Sequence, residues 1–78
     1  MKNLAQKTTE EKANEIGKNI FKNDFKRVRT NSECSIICFF IDYSVDFKSL
    51  KTLEKYYSVR NVYVDAANPD NVIIHCEI

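Results

Sequence analysis

Glycine and proline occur once each in 78 residues, and tryptophan is absent. One glycine excludes glycine-built phosphate loops, and one proline excludes proline-rich linkers and collagen-like repeats. A dominant charge is lacking too. Twelve Lys+Arg against eleven Asp+Glu leave a net charge of +1, so bulk charge points to neither nucleic acid, a membrane surface nor an acidic tail. No apolar run approaches the roughly 18–20 residues of a membrane span, and the polar start MKNLAQKTTEEK does not read as a signal peptide.

What is present is ordinary globular composition, 44% hydrophobic and 29% charged, which argues against disorder. The length fits one small domain over residues 1–78, with a thin margin of buried surface. The three cysteines, Cys34, Cys38 and Cys76, are odd in number and fit reduced thiols in a cytoplasmic protein. Nine Lys, eight Asn and eight Ile against three Arg and four Ala imply AT-rich codons. On that ground the expected source is an AT-rich bacterium or its phage, and with the small size this suggests a phage or mobile-element accessory protein.

Hydrophobic periodicity divides the chain. The first seven residues lack it and are expected to fray. Thr8-Thr9-Glu10-Glu11 offers a capping box, and Ala13, Ile16, Gly17, Ile20 and Phe21 then fall on one face of a helix over about 8–22. Gly17 in that stripe suggests close contact between helix backbone and sheet. Asp46 caps a second helix with Phe47, Leu50, Leu53 and Tyr57 as its buried stripe. The continuous apolar runs 35–41 and 72–78 read as interior strands, and 62–65 alternates. Residues 25–30 are predicted as a strand in a hairpin with 34–41, because Asp24 would interrupt the apolar face of a longer helix.

A short internal match supports this, laying Val28, Asn31, Glu33 and Ile36-Ile37 on Val64, Asn68, Asp70 and Ile73-Ile74. The expected fold is a single two-layer α+β domain of αββαββ order, a circularly permuted ferredoxin-like plan. Its four-stranded sheet has 25–30 and 60–65 as edges and both helices on one face. The alternative is αβαββ, with one long N-terminal helix and a three-stranded sheet.

Strand alternation assigns the faces. Val72, Ile74, Cys76 and Ile78 are expected to meet the helices with Ser35, Ile37, Phe39, Ile41, Val28, Val62 and Val64. The open face then displays Cys34, Ile36, Cys38 and Phe40 beside Ile73, His75 and Glu77, flanked by Phe25, Arg27 and Arg29 on one edge and Asn61, Tyr63 and Asp65 on the other. Such an apolar patch rimmed by charge marks an interaction site. The expected partner-binding residues are Phe25, Arg27, Arg29, Ile36, Phe40, Tyr63, Ile73 and His75, with Phe40 as an exposed centre where a charge would block association without unfolding the chain.

The function expected from this face is that of a small, non-catalytic adaptor or inhibitor that binds a protein partner or a second copy of itself. The alternative is RNA or single-stranded DNA binding by the same aromatic and basic residues. Residues 1–30 hold eight basic and four acidic side chains, and residues 31–78 four and seven, but no RNA-binding signature run is present.

No catalytic, cofactor or metal site is expected, and no small-molecule substrate is evident. Cys34 and Cys38 on one extended strand would lie about 13 Å apart, too far to share a zinc ion without a bend. Cys38, His75 and Glu77 could be written as nucleophile, base and orienting acid, yet no glycine turn offers an oxyanion hole beside them.

Overall fold

The computed structural model describes residues 3–78. Its first helix begins a turn earlier than hydrophobic spacing suggests. The Asn3 side chain accepts a hydrogen bond from the Gln6 backbone N–H (2.8 Å), and the Gln6 side chain accepts one from the Asn3 N–H (3.1 Å). That reciprocal capping box starts α1 (Leu4–Phe21) and replaces the box expected at Thr8–Glu11. The fraying expected for residues 1–7 is therefore corrected for 4–7, while Met1 and Lys2 lie outside the described residues. Gln6 Nε2 donating to Thr30 O and Asn3 Nδ2 donating to Ser32 O (both 3.4 Å) hold this turn on the body of the protein.

The helix ends at Phe21 because Lys22 adopts φ 55, a left-handed conformation that cannot continue it. One 3-10 turn, Lys22–Asp24, leads into β1 (Phe25–Thr30), followed by β2 (Ile36–Asp42), α2 (Phe47–Leu53), β3 (Ser58–Val64) and β4 (Asn71–Glu77). The result is a small α+β domain with two helices and one antiparallel four-stranded sheet in the order β1-β2-β4-β3. A helix running through residue 29 is excluded, and residues 25–30 pair with β2 as expected.

The core lies between α1 and one sheet face. Ala13, Gly17 and Phe21 of α1 and Leu53 of α2 meet Val28, Ile37, Phe39, Ile41, Ile74 and Cys76 of the sheet. Phe39 also packs against Tyr57, ring centroids 5.7 Å apart. Ile37, Phe39, Ile41, Ile74 and Cys76 all fall on the helix side, as alternation assigned them.

Two bulges decide the rest of the face assignment. Phe25 pairs with Ile41 but Arg27 pairs with Phe40, so Lys26 is the extra residue in β1. Val59 pairs with Cys76 but Asn61 pairs with His75, so Arg60 is the extra residue in β3. A bulge reverses alternation on one side of itself. Phe25 therefore turns to the helix side, against the expectation, and packs on Gly17. A Cβ added at Gly17 would sit closer to the Phe25 ring than carbon atoms can approach, which is why glycine occupies this point of the helix.

Other expectations need correction at the margins. Cys34 lies in the 31–35 turn at φ 57, outside the strand. Ser35 and Ile78 are exposed just beyond the strand ends, joined by an Ile78 N–H to Ser35 O bond of 3.0 Å. Phe47 is 73% exposed, because α2 is only seven residues long and buries Leu53 alone. Val62 and Val64 share the helix side of the sheet, yet no helix reaches them and Val64 is 59% exposed.

Candidate functional site

The sheet face opposite the helices is built in cross-strand rows. One row runs Arg27, Phe40, Ile73, Tyr63 from edge to edge, and the next runs Arg29, Cys38, His75, Asn61. A third row holds Asp42, Asn71 and Asp65, with the bulged Lys26 reaching Asp42 (3.8 Å). Paired residues of neighbouring strands point the same way, so register alone brings these side chains together.

The rows enclose a shallow trough of about 380 Å³. Phe40, Ile73 and Cys38 form its floor. Arg27 and Arg29 make one wall, and Tyr63, Asp65 and Ala67 make the other. The Arg27 guanidinium carbon stands 4.1 Å from the Phe40 ring centroid, close enough for a cation–π contact. Neither arginine is held in an ion pair among the described residues. Asp65 turns one carboxylate oxygen to the Ala67 N–H (3.0 Å), which fixes the rim of the hairpin turn.

This arrangement corrects the expectation of an openly apolar face. Phe40 is 6% and Ile73 8% exposed, covered by the side chains that flank them on the edge strands. The accessible part of the face is its rim, with Tyr63 at 42% exposure and both arginines exposed. A charge at position 40 would thus disturb the fold, so Phe40 is no clean probe of association. Ile36 and His75 lie on this face, half-buried, but do not line the trough. Phe25 leaves the site altogether. Cys38, Asp65 and Ala67 also line the trough and are absent from the expected set; open-face parity is the signal that points to Cys38 and Asp65, and Ala67 has none.

The chemistry open to these groups is narrow. Cys38 and His75 are direct cross-strand neighbours. Burial pushes the Cys38 thiol above its ordinary 9.0, and the Arg29 charge opposes that only in part. A thiol held protonated is a poor nucleophile. Cys76, on the opposite side, is pushed up to about 12 by burial and by the neighbouring Cys38. Among the described residues, no group of three or more His, Cys, Asp or Glu is placed to hold a metal ion. Nor is any described helix long and apolar enough to cross a membrane.

Comparison with protein families, curated proteins and solved structures finds no match to this chain.

Proposed function

We propose that this chain is a non-catalytic protein-binding module, of adaptor or inhibitor type, that works through the open face of its sheet. The observation that carries this reading is the trough itself: an apolar floor between an arginine wall and a wall of Tyr63 and Asp65. Arginine and tyrosine dominate binding energy at protein interfaces, because they combine large contact area with directional bonds. Both stand exposed here over a floor already excluded from water.

Charge balance favours protein over nucleic acid as the partner. On this face Lys26 is neutralised by Asp42 and Arg60 by Glu77, leaving Arg27 and Arg29 against Asp65. A phosphodiester strand crossing the trough would meet that carboxylate, whereas a protein surface offers both signs of charge. We read the αββαββ order with strand order β1-β2-β4-β3 as a ferredoxin-like plan whose first strand has moved to the end of the chain. The free thiols suit the reducing cytoplasm of the expected phage or mobile-element setting.

The test is affinity capture from host lysate with wild type, Arg27→Glu, Tyr63→Ala and the helix-face control Lys18→Glu. A specific protein retained by wild type and Lys18→Glu but lost from the other two is the expected result. Retention by Tyr63→Ala and Arg27→Glu, with loss from Lys18→Glu, would move the binding surface to the helices. Salt-sensitive shifts of random single-stranded RNA would return nucleic acid as the partner.

A further inference from the structure

We propose that the partner seated on the open face is a second copy of this chain, related by a two-fold axis that lies parallel to the strands. The proposal rests on the protein-binding reading above and names its occupant.

The rows make the face self-complementary in one orientation. Sheets packed face to face keep their strands within about 30° of each other and lie about 10 Å apart. Rotation about an axis parallel to the strands places the β1 edge of one copy over the β3 edge of the other, and leaves each row facing its own counterpart. Arg27 then lies over Tyr63 of the second copy, and Phe40 over Ile73. In the next row Arg29 lies over Asn61, and Cys38 over His75. Beyond them the Lys26–Asp42 ion pair faces Asp65 and Asn71. Each contact occurs twice, as a closed two-fold interface requires.

Electrostatics discriminates between the possible axes. An axis perpendicular to the strands would put β1 over β1 and press Arg27 and Arg29 against the same arginines of the second copy, and like charges facing each other cost affinity. The parallel axis instead gives each arginine an aromatic face, an amide or a carboxylate. The halves differ in the way such pairing needs: β1 brings the guanidiniums of Arg27 and Arg29 to the face, while the β3 side brings Asn61, Tyr63 and Asp65.

Charge reversal in two separate variants tests the arrangement by sedimentation equilibrium over a concentration series, with circular dichroism confirming that each variant is folded. Wild type should sediment at twice the monomer mass. Arg27→Glu/Arg29→Glu alone should be monomeric, because the exchange takes both guanidiniums away from Tyr63 and Asn61 and puts carboxylates against the tyrosine face, in the row beside Asp65. Tyr63→Lys alone should also be monomeric, because two cations then oppose each other. An equimolar mixture of the two variants should return to twice the monomer mass. In the mixed pair one half of the interface is charge-swapped and the other is native.

A folded pair of variants that fails to recombine overturns the proposal. So does a wild type that stays monomeric throughout. If that monomer still captures a foreign protein through Arg27 and Tyr63, only the second copy is wrong and the open-face reading stands. A dimer indifferent to both variants overturns the proposal, and with it the open-face reading if foreign capture is equally indifferent.

Discussion

The two αββ halves of this protein pair their strands by the same plan and protect them by different means. In both hairpins the register slips at one residue, Lys26 in β1 and Arg60 in β3. Each skipped residue is a cation that reaches the carboxylate at the end of the neighbouring strand, Lys26 to Asp42 at 3.8 Å and Arg60 to Glu77 at 3.2 Å. Laid on each other by these pairings, Phe25 corresponds to Val59, Val28 to Val62, Ile41 to Cys76 and Asp42 to Glu77. The internal sequence match had set Ile37 on Ile74, whereas pairing sets it on Val72, two residues away and hence on the same face.

Coverage separates the halves. The 18-residue α1 lies along β1, where Glu10 Oε2 accepts the Thr30 N–H (2.9 Å) and Gln6 donates to the Thr30 carbonyl. Helix side chains thus satisfy an edge-strand peptide that would otherwise face water. The seven-residue α2 gives β3 no such cover. There the strand protects itself: the bulge twists it, Arg60 adds charge, and Asn61 Oδ1 accepts the Val62 N–H (2.9 Å). One edge is closed by tertiary structure and the other only by local devices that natural sheets use against unwanted pairing.

The largest break in the comparison should come from the core the two halves share. Phe39→Ala or Ile74→Ala removes a fully buried side chain at the β2–β4 seam and should cost about 2–5 kcal/mol by urea denaturation, against near zero for Val64→Ala on the uncovered half. Alkaline titration should come next. Cys76 is neutral in the fold with its pKa raised from 9.0 to about 12. Its contribution is present in full below pH 9 and is lost as pH rises towards 12, with Tyr57 and Cys38, also raised by burial, acting in the same direction. Cys76→Ala should flatten that loss in thermal melts across the same range.

Gly17→Ala should destabilise by about 1–3 kcal/mol, although alanine favours helix, because the added methyl meets the Phe25 ring. Combining it with Phe25→Ala should cost less than the two single changes summed, a coupling readable in a double-mutant cycle. Glu10→Ala should cost about 1–3 kcal/mol and speed hydrogen exchange at the Thr30 amide, uncovering the protected edge. The smallest effect should be the most symmetric. Lys26→Ala and Arg60→Ala break exposed ion pairs and should each shift stability by no more than about 1 kcal/mol.

These contrasts also show which properties a sequence can carry. Apolar runs named the interior strands, and alternation put Ile37, Phe39, Ile74 and Cys76 on the buried side without any knowledge of partners. A bulge is a property of two strands, so nothing within 25–30 announced that Lys26 would be skipped and Phe25 reversed. The early start of α1 rests on the Asn3–Gln6 capping box, a local signal with no apolar periodicity behind it, and the bonds that hold that turn to Ser32 and Thr30 join residues far apart in sequence. In the candidate site, Arg27, Arg29 and Tyr63 were legible from parity. The burial of Phe40 and Ile73 was not, because it depends on neighbouring side chains lying down over the sheet. The exposure of Val62 and Val64 follows from where α2 stops, which no capping signal in the sequence marks.

Two hydrogen bonds at the ends of the described chain bear on how it could be rewired. Asn3 touches Ser32 and Ile78 bonds to Ser35, so residues 3 and 78 flank the same turn between β1 and β2. A short linker joining them, with new ends cut in the exposed 66–70 turn, would order the elements β4-α1-β1-β2-α2-β3. Every strand would keep its neighbours, and only the covalent path would change. Such a permutant should fold to the same sheet, with the hairpin between β3 and β4 turned from a local pairing into the longest-range one in the chain and folding slowed accordingly.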